Sequence, residues 1–130
     1  MPENIQLVNH ASIFIEDGKN FNLLTDPWYK GGAFHDAWSL LYENDDNDIQ
    51  KILEKTNYIY ISHEHPDHFS INFFKKYADF LKEKKIKILF QITLDQRLEN
   101  FLSKVLKLEI IILEDFKTKI ISNNNITLIK

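Results

Sequence analysis

The sequence contains no cysteine, and only three glycines, three prolines and one methionine occur among its 130 residues. The absence of cysteine excludes disulfide frameworks, iron–sulfur clusters, thiolate zinc sites and cysteine nucleophiles from this chain. It leaves oxidising and reducing compartments both open. No stretch rich in proline, glycine or serine divides the chain, and no internal repeat is present.

Long apolar runs are also absent. The longest wholly aliphatic run covers residues 110–113, which is far too short to span a bilayer. The first ten residues contain Glu3 and no lysine or arginine, so they lack the positively charged start of a secretory signal peptide. We therefore expect a cytoplasmic protein with no membrane association.

The chain lacks an excess of basic charge. Sixteen basic and nineteen acidic residues give a net charge of -3, and Arg97 is the single arginine. Binding to a phosphate backbone depends mainly on clustered lysine and arginine side chains, so this balance argues against a nucleic-acid partner.

The composition that remains is that of a folded protein. Hydrophobic residues make up 44% of the chain and charged residues 27%, which fits one globular domain over residues 1–130. Alternating apolar runs separated by turn-forming residues predict a three-stranded antiparallel meander at residues 5–8, 12–16 and 21–25. An aromatic-rich loop then follows the Asp26-Pro27 step, and it serves either as a surface loop packed on the core or as a pocket wall.

Helices and strands alternate after this loop. An acidic cluster at residues 45–48 precedes apolar residues at helical spacing, and Ser70 is the predicted N-cap of the next helix. A capping box that begins at Thr93 predicts a third helix, which ends near residue 106. Strands are predicted at residues 57–62, 86–92 and 108–113, followed by a hairpin of residues 116–121 and 126–130. This order predicts an α/β fold with one sheet, helices on one face and no cover on the other.

The most informative motif is HEHPDH at residues 63–68. It places three imidazoles and two carboxylates directly after a predicted buried strand and before a helix N-terminus. In an extended segment the side chains of His63 and His65 point the same way, so both can reach one metal ion. Asp67 and His68, on the turn beyond, can serve a second ion. The alternative is a histidine-rich polar surface turn with no bound metal.

This motif after a hydrophobic strand resembles the signature of the metallo-β-lactamase superfamily. The segments NHAS at residues 9–12 and LTDPW at residues 24–28 also resemble the opening strands of that superfamily. More narrowly, residues 26–41 together with the motif are similar to the branch that contains the CMP-N-acetylneuraminate hydroxylase and the ascorbate-6-phosphate lactonase-like hydrolases. The hydroxylase uses a Rieske cluster, which needs cysteines that this chain lacks. Hydroxylation by this chain alone is therefore rejected.

The resemblance implies a set of site residues. His63 and His65 would bind a first metal ion, and Asp67 and His68 a second, with Asp67 also orienting the attacking water. Asp26 would support the motif loop through hydrogen bonds, although a plain turn residue at a strand end is an equal alternative. Zinc is the implied cofactor, with two ions in a complete domain and other divalent metals as alternatives.

Two further histidines lie outside the motif. His10 follows the first predicted strand, and His35 lies in the aromatic loop. A lone histidine is more often a half-buried structural residue than a ligand, so we assign neither to the metal site.

The resemblance also implies residues that this chain does not contain. A complete superfamily domain supplies a further histidine, a bridging aspartate and a final histidine downstream, whereas no histidine follows His68. We therefore expect one incomplete domain, equivalent to the N-terminal half of the superfamily's αββα sandwich. Either the chain is a fragment, or a second chain supplies the complementing C-terminal half.

Two functions follow as hypotheses. The first is a metal-dependent hydrolase, in which a metal-bound hydroxide attacks an ester, lactone or phosphoester of a small-molecule substrate. As this short chain it would be inactive or incomplete. The alternative is a non-catalytic subunit or binding module that pairs with another chain, or with itself, through the uncovered sheet.

Overall fold

The computed structural model describes residues 2–18 and 20–129. Its centre is a six-stranded mixed sheet in which the strands lie in sequence order. The first three strands are antiparallel and the last three run parallel to the third. The strands are β1 (Asn4–Asn9), β2 (Ser12–Glu16), β3 (Leu23–Thr25), β4 (Tyr58–Ile61), β5 (Lys87–Gln91) and β6 (Ile110–Leu113).

Three helices connect the parallel strands. They are α1 (Asp46–Lys55), α2 (Ile71–Glu83) and the short α3 (Arg97–Asn100), which continues as one π-helical turn at Phe101–Val105. The carboxylate of Asp45 caps α1 by accepting the amide of Asn47 at 2.7 Å, and the hydroxyl of Ser70 caps α2. Both caps satisfy amides that have no partner within the helix, and the N-cap predicted at Ser70 is confirmed.

The helices pack on one face of the sheet, which confirms the predicted α/β architecture. The buried side chains of this face include Leu24, Ile59 and Ile88, all fully inaccessible to solvent. They contact Leu53 of α1 and Phe74 of α2 in a single apolar core. Because side chains alternate along a strand, the residues between these project to the opposite face.

The opposite face is partly covered. A two-stranded hairpin, β7 (Thr118–Ile121) and β8 (Asn124–Thr127), packs a second small core against Leu89 and Leu113. The expectation of a face with no cover is therefore wrong over β5 and β6. Over β1 the face is open, since the side chains of Ile5 and Leu7 are 60% and 69% exposed.

Two local predictions are also wrong. Thr93 does not cap the third helix, because that helix begins four residues later behind Gln96, which has a left-handed backbone and no capping hydrogen bond. The hairpin turn lies at Ser122 and Asn123, both with positive φ, so β8 begins at Asn124 rather than at residue 126. A two-residue turn of this kind matches the right-handed twist of the strands better than the longer turn predicted.

Within the described part of the chain, no helix is long and apolar enough to cross a membrane.

Candidate metal centre

The fold brings three loops to one edge of the sheet. Residues 62–70 follow β4, Asp26 follows β3, and the turn at His10 and Ala11 joins β1 to β2. Strands β3 and β4 are parallel, so their carboxyl ends meet at this edge, while antiparallel β2 starts there. This is where open α/β sheets bind ligands.

Within the motif, the imidazoles of His63 and His65 lie side by side. His63 Nε2 is 3.0 Å from His65 Nδ1, and the ring centroids are 4.6 Å apart. On its other side, His63 Nδ1 lies 2.9 Å from the hydroxyl of Ser62. The structure thus places together the two residues expected to bind the first ion.

Asp67 and His68 lie on the turn that precedes α2. His68 Nε2 is 3.4 Å from Asp67 Oδ2, and the side chain of Asp67 is only 8% exposed. The rings of His63 and His68 are 4.1 Å apart, so all four motif residues form one continuous cluster. The other carboxylate oxygen, Asp67 Oδ1, is buried and has no hydrogen-bond partner among the described residues.

The structure adds a residue that the sequence did not assign to the site. His10 Nε2 lies 3.0 Å from Asp67 Oδ2, across 57 residues of chain. His10, Asp67 and His68 each offer one ligand atom, and these three atoms lie within 4.8 Å of one another. The signal that could have found His10 is its place in NHAS, a segment that already carried the family resemblance. His35, by contrast, is not one of these three residues.

Asp26 stabilises the loop that follows β4 through its carboxylate. It is 5% exposed, and its carboxylate accepts the Ser62 amide and hydroxyl, each at 2.7 Å. The same carboxylate lies 2.9 Å from His68 Nδ1. A proton on Nδ1 of His68 leaves the Nε2 lone pair free, which is the form that binds metal ions.

The electrostatics of the cluster favour the protonation states of His63 and Asp67 that can bind a metal ion. Burial, together with repulsion from His68 and His65, lowers the pKa of the His63 imidazole and so favours its neutral form. Burial alone would raise the pKa of the Asp67 carboxyl. The hydrogen bond from His10 and the charge of His68 outweigh burial, so the pKa of Asp67 lies below its usual value.

Aromatic side chains of the loop after β3 line one flank of the cluster. The rings of Trp28 and Trp38 meet the His10 ring edge-on, with centroids 5.1 and 6.4 Å away. Phe34 contacts both Trp38 and His65. The loop therefore forms a wall beside the cluster, which was one of the two predicted roles.

A recess of about 450 Å³ opens on the other flank. His63 and His65 line it together with residues of the segment that follows β5. Glu64, which also lines the recess, pairs with Arg97 at 3.3 Å. The cluster thus lies between an aromatic wall and an open recess.

Comparison with known proteins identifies the family. Residues 4–125 match the beta-lactamase superfamily domain. The chain belongs to this superfamily. The match begins at β1 and continues into the hairpin, so it includes all three loops of the candidate metal centre.

The curated relatives belong to the branch that the sequence suggested. The chain is 37% identical over 70 residues to the cytidine monophosphate-N-acetylneuraminic acid hydroxylase of Sus scrofa, covering 54% of this chain and 16% of that protein. It is 35% identical over 63 residues to the Danio rerio hydroxylase, covering 48% and 10%. It is also 35% identical over 74 residues to the inactive hydroxylase of Homo sapiens, covering 57% and 14%. The match spans only a small part of each relative, and no solved structure matches the chain.

Proposed function

We propose that this chain carries the metal-binding part of a metal-dependent hydrolase that acts on an ester, lactone or phosphoester of a small molecule. The observation that supports the proposal is the buried Asp67 Oδ1, which has no partner among the described residues. A buried carboxylate oxygen without a hydrogen bond is costly, and a cation beside it would remove that cost. The surrounding imidazoles and carboxylates are suitable ligands for zinc and related divalent ions.

Each motif residue has a role in this proposal. His63 and His65 would bind one ion, while Asp67 and His68 would bind a second. The chemistry that a divalent ion would supply there is a water acidic enough to act as a nucleophile near neutral pH. Asp67 would orient that water, and Asp26 would hold the His68 ring so that Nε2 faces the ion.

Similarity to the hydroxylases does not extend the proposal to hydroxylation. This chain covers at most 16% of the three relatives described, and it contains no cysteine for a Rieske cluster. What the chain shares with those proteins is a segment of 63 to 74 residues. Hydrolysis is the reaction that these residues support without a redox centre.

The test is turnover by a protein in which this chain is joined to a complete C-terminal half of the superfamily domain. With saturating zinc, we expect this joined protein to hydrolyse lactone or phosphodiester substrates, and we expect the chain alone to show little turnover. Asp67→Ala should abolish turnover, because it removes a ligand and the orientation of water together. Asp26→Ala should reduce turnover less, because it only loosens the His68 ring. Full activity of Asp67→Ala would contradict the proposal.

A second candidate, a non-catalytic subunit, is favoured by one observation. Ile5 and Leu7 on β1 are largely exposed, and they share a sheet face with the half-buried Ile13 and Ile15 on β2. A sheet face of this composition is normally covered by another layer. In this candidate the partner chain would supply that layer, and the cluster would have only a structural role.

A further inference from the structure

The three residues with converging ligand atoms come from two separate loops. His10 lies in the turn between β1 and β2, whereas Asp67 and His68 lie on the turn before α2. Their ligand atoms are within 4.8 Å of one another. A zinc site that keeps one open position usually has three protein ligands.

Each of the three groups is already oriented. The carboxylate of Asp26 is 2.9 Å from His68 Nδ1, so His68 presents Nε2 to Asp67. The rings of Trp28 and Trp38 fix the plane of the His10 ring from its sides. Fixed rings of this kind lower the entropic cost of binding an ion.

His10 also has an unusual backbone. Its φ is 41°, in the left-handed region that non-glycine residues adopt at a cost. The Asn9 side chain helps to hold this turn by donating to the Tyr42 carbonyl at 2.8 Å and to the Asn44 side chain at 2.7 Å. The turn thereby directs the His10 imidazole at the buried carboxylate.

We propose that His10, Asp67 and His68 form a three-ligand site for one divalent cation of the zinc class. This inference rests on the proposed metal-dependent function and changes its ligand set. The ion expected at Asp67 and His68 gains its third protein ligand from His10 within this chain, without a contribution from a C-terminal half. The pair of His63 and His65 supplies two ligands and is a separate, weaker position.

The probe for this site is Co²⁺ alone, added to the full chain and followed by its visible absorption. Tetrahedral Co²⁺ absorbs strongly, and each ligating imidazole contributes one exchangeable, paramagnetically shifted N–H signal in proton NMR spectra. We expect one tight site with two such signals, from His10 and His68. The double variant His63→Gln with His65→Gln should retain this site.

Three single variants decide whether His10 is a metal ligand or only a hydrogen-bond donor to Asp67. His10→Gln keeps a donor for Asp67 but lacks an imidazole. It should remove one N–H signal and weaken binding by more than the roughly 10–100-fold loss that outer partners cause. His10→Glu provides a carboxylate ligand and should restore part of the affinity, although it repels Asp67 in the absence of metal. His35→Gln, an exposed histidine of the loop after β3, should bind like the wild type.

The contrary results are distinct. Wild-type affinity and an unchanged set of N–H signals in His10→Gln would make His10 a hydrogen-bond donor only and overturn the inference. If binding is lost in the His63 and His65 double variant instead, the inference fails while the hydrolase proposal stands. Absence of Co²⁺ binding by the folded wild-type chain would overturn the inference, whereas the hydrolase proposal is decided by turnover of the joined protein. Circular dichroism of each variant confirms that binding is compared between folded proteins.

Discussion

At the scale of single residues, Asp26 makes more contacts within the candidate metal centre than its place at the end of a strand indicates. It follows β3 in the left-handed region, with φ 39°, and aspartate tolerates this conformation better than most residues. Its two oxygens accept from the Ser62 amide and hydroxyl and contact His68 Nδ1. One buried carboxylate thus joins the end of β3 to both ends of the motif loop.

We expect Asp26→Ala to destabilise the fold. The change leaves the partly buried Ser62 amide without its acceptor, and an unpaired buried group costs about 1–3 kcal/mol. Urea denaturation measures this loss as a lower free energy of unfolding. The control is Asp79→Ala on α2, where the side chain is 99% exposed, and its effect should stay within about 0.5 kcal/mol. Equal stabilities of the two variants would show that Asp26 does not hold the loop.

At the scale of elements, the packing of α1 against α2 includes a polar link at its edge. The Tyr77 hydroxyl donates to Asp46 Oδ1 at 3.1 Å, and Lys76 reaches the same oxygen at 2.7 Å. Burial, followed by this hydrogen bond to the Asp46 carboxylate, raises the pKa of Tyr77 to about 12 from 10.0. The folded state therefore favours the neutral phenol.

This pKa shift predicts a loss of stability in alkali. Because the pKa is higher in the folded state, the stabilisation is complete below pH 10 and is lost as the pH rises from 10 to 12. Tyr77→Phe cannot ionise, so its free energy of unfolding should fall less over this interval. Urea denaturation at pH 8, 10 and 11.5 tests this for the wild type, Tyr77→Phe and the control Tyr42→Phe, whose side chain is exposed. Parallel pH profiles for all three proteins would contradict the prediction.

At the scale of the whole molecule, the two sheet faces differ in how they are covered. Helices α1 to α3 pack on one face and bury its centre, whereas the hairpin covers only the part of the other face over β5 and β6. Ile5 and Leu7 stay exposed on edge strand β1. An edge strand with exposed apolar side chains is prone to pair with another chain.

We expect the chain alone to self-associate through this face. Leu7→Lys places a charge in the middle of the exposed strip and should shift the protein towards monomer, as measured by light scattering at increasing concentration. Val105→Lys is the control, because Val105 is 66% exposed but lies in the π-helical turn after α3. A wild-type chain that stays monomeric at all concentrations would show that this face does not drive association.

Several elements could be predicted because local signals were unambiguous. Ser70 is followed by an amphipathic run, so both the cap and the helix were confirmed. The predicted start of the third helix is wrong, because the capping pattern at Thr93 is a local signal and tertiary packing favours a later start. Leu98 and Leu102 are buried in the core, and their burial fixes the helix four residues further along. Packing outweighs a cap, which contributes only about 1 kcal/mol.

By itself, the sequence determined the superfamily, the α/β class and the motif at residues 63–68, because periodicity and short motifs are local properties. Only the tertiary structure decided that His10 joins Asp67, that Asp26 supports the motif loop, and that the hairpin covers part of the second face. His10 and Asp67 are 57 positions apart in the chain, and Asp26 and Ser62 are 36 positions apart. Their contact depends on the parallel pairing of β3 with β4 and the antiparallel pairing of β2 with β3, which brings three loops to one edge. Strand pairing of this kind is non-local, so no local pattern could reveal it.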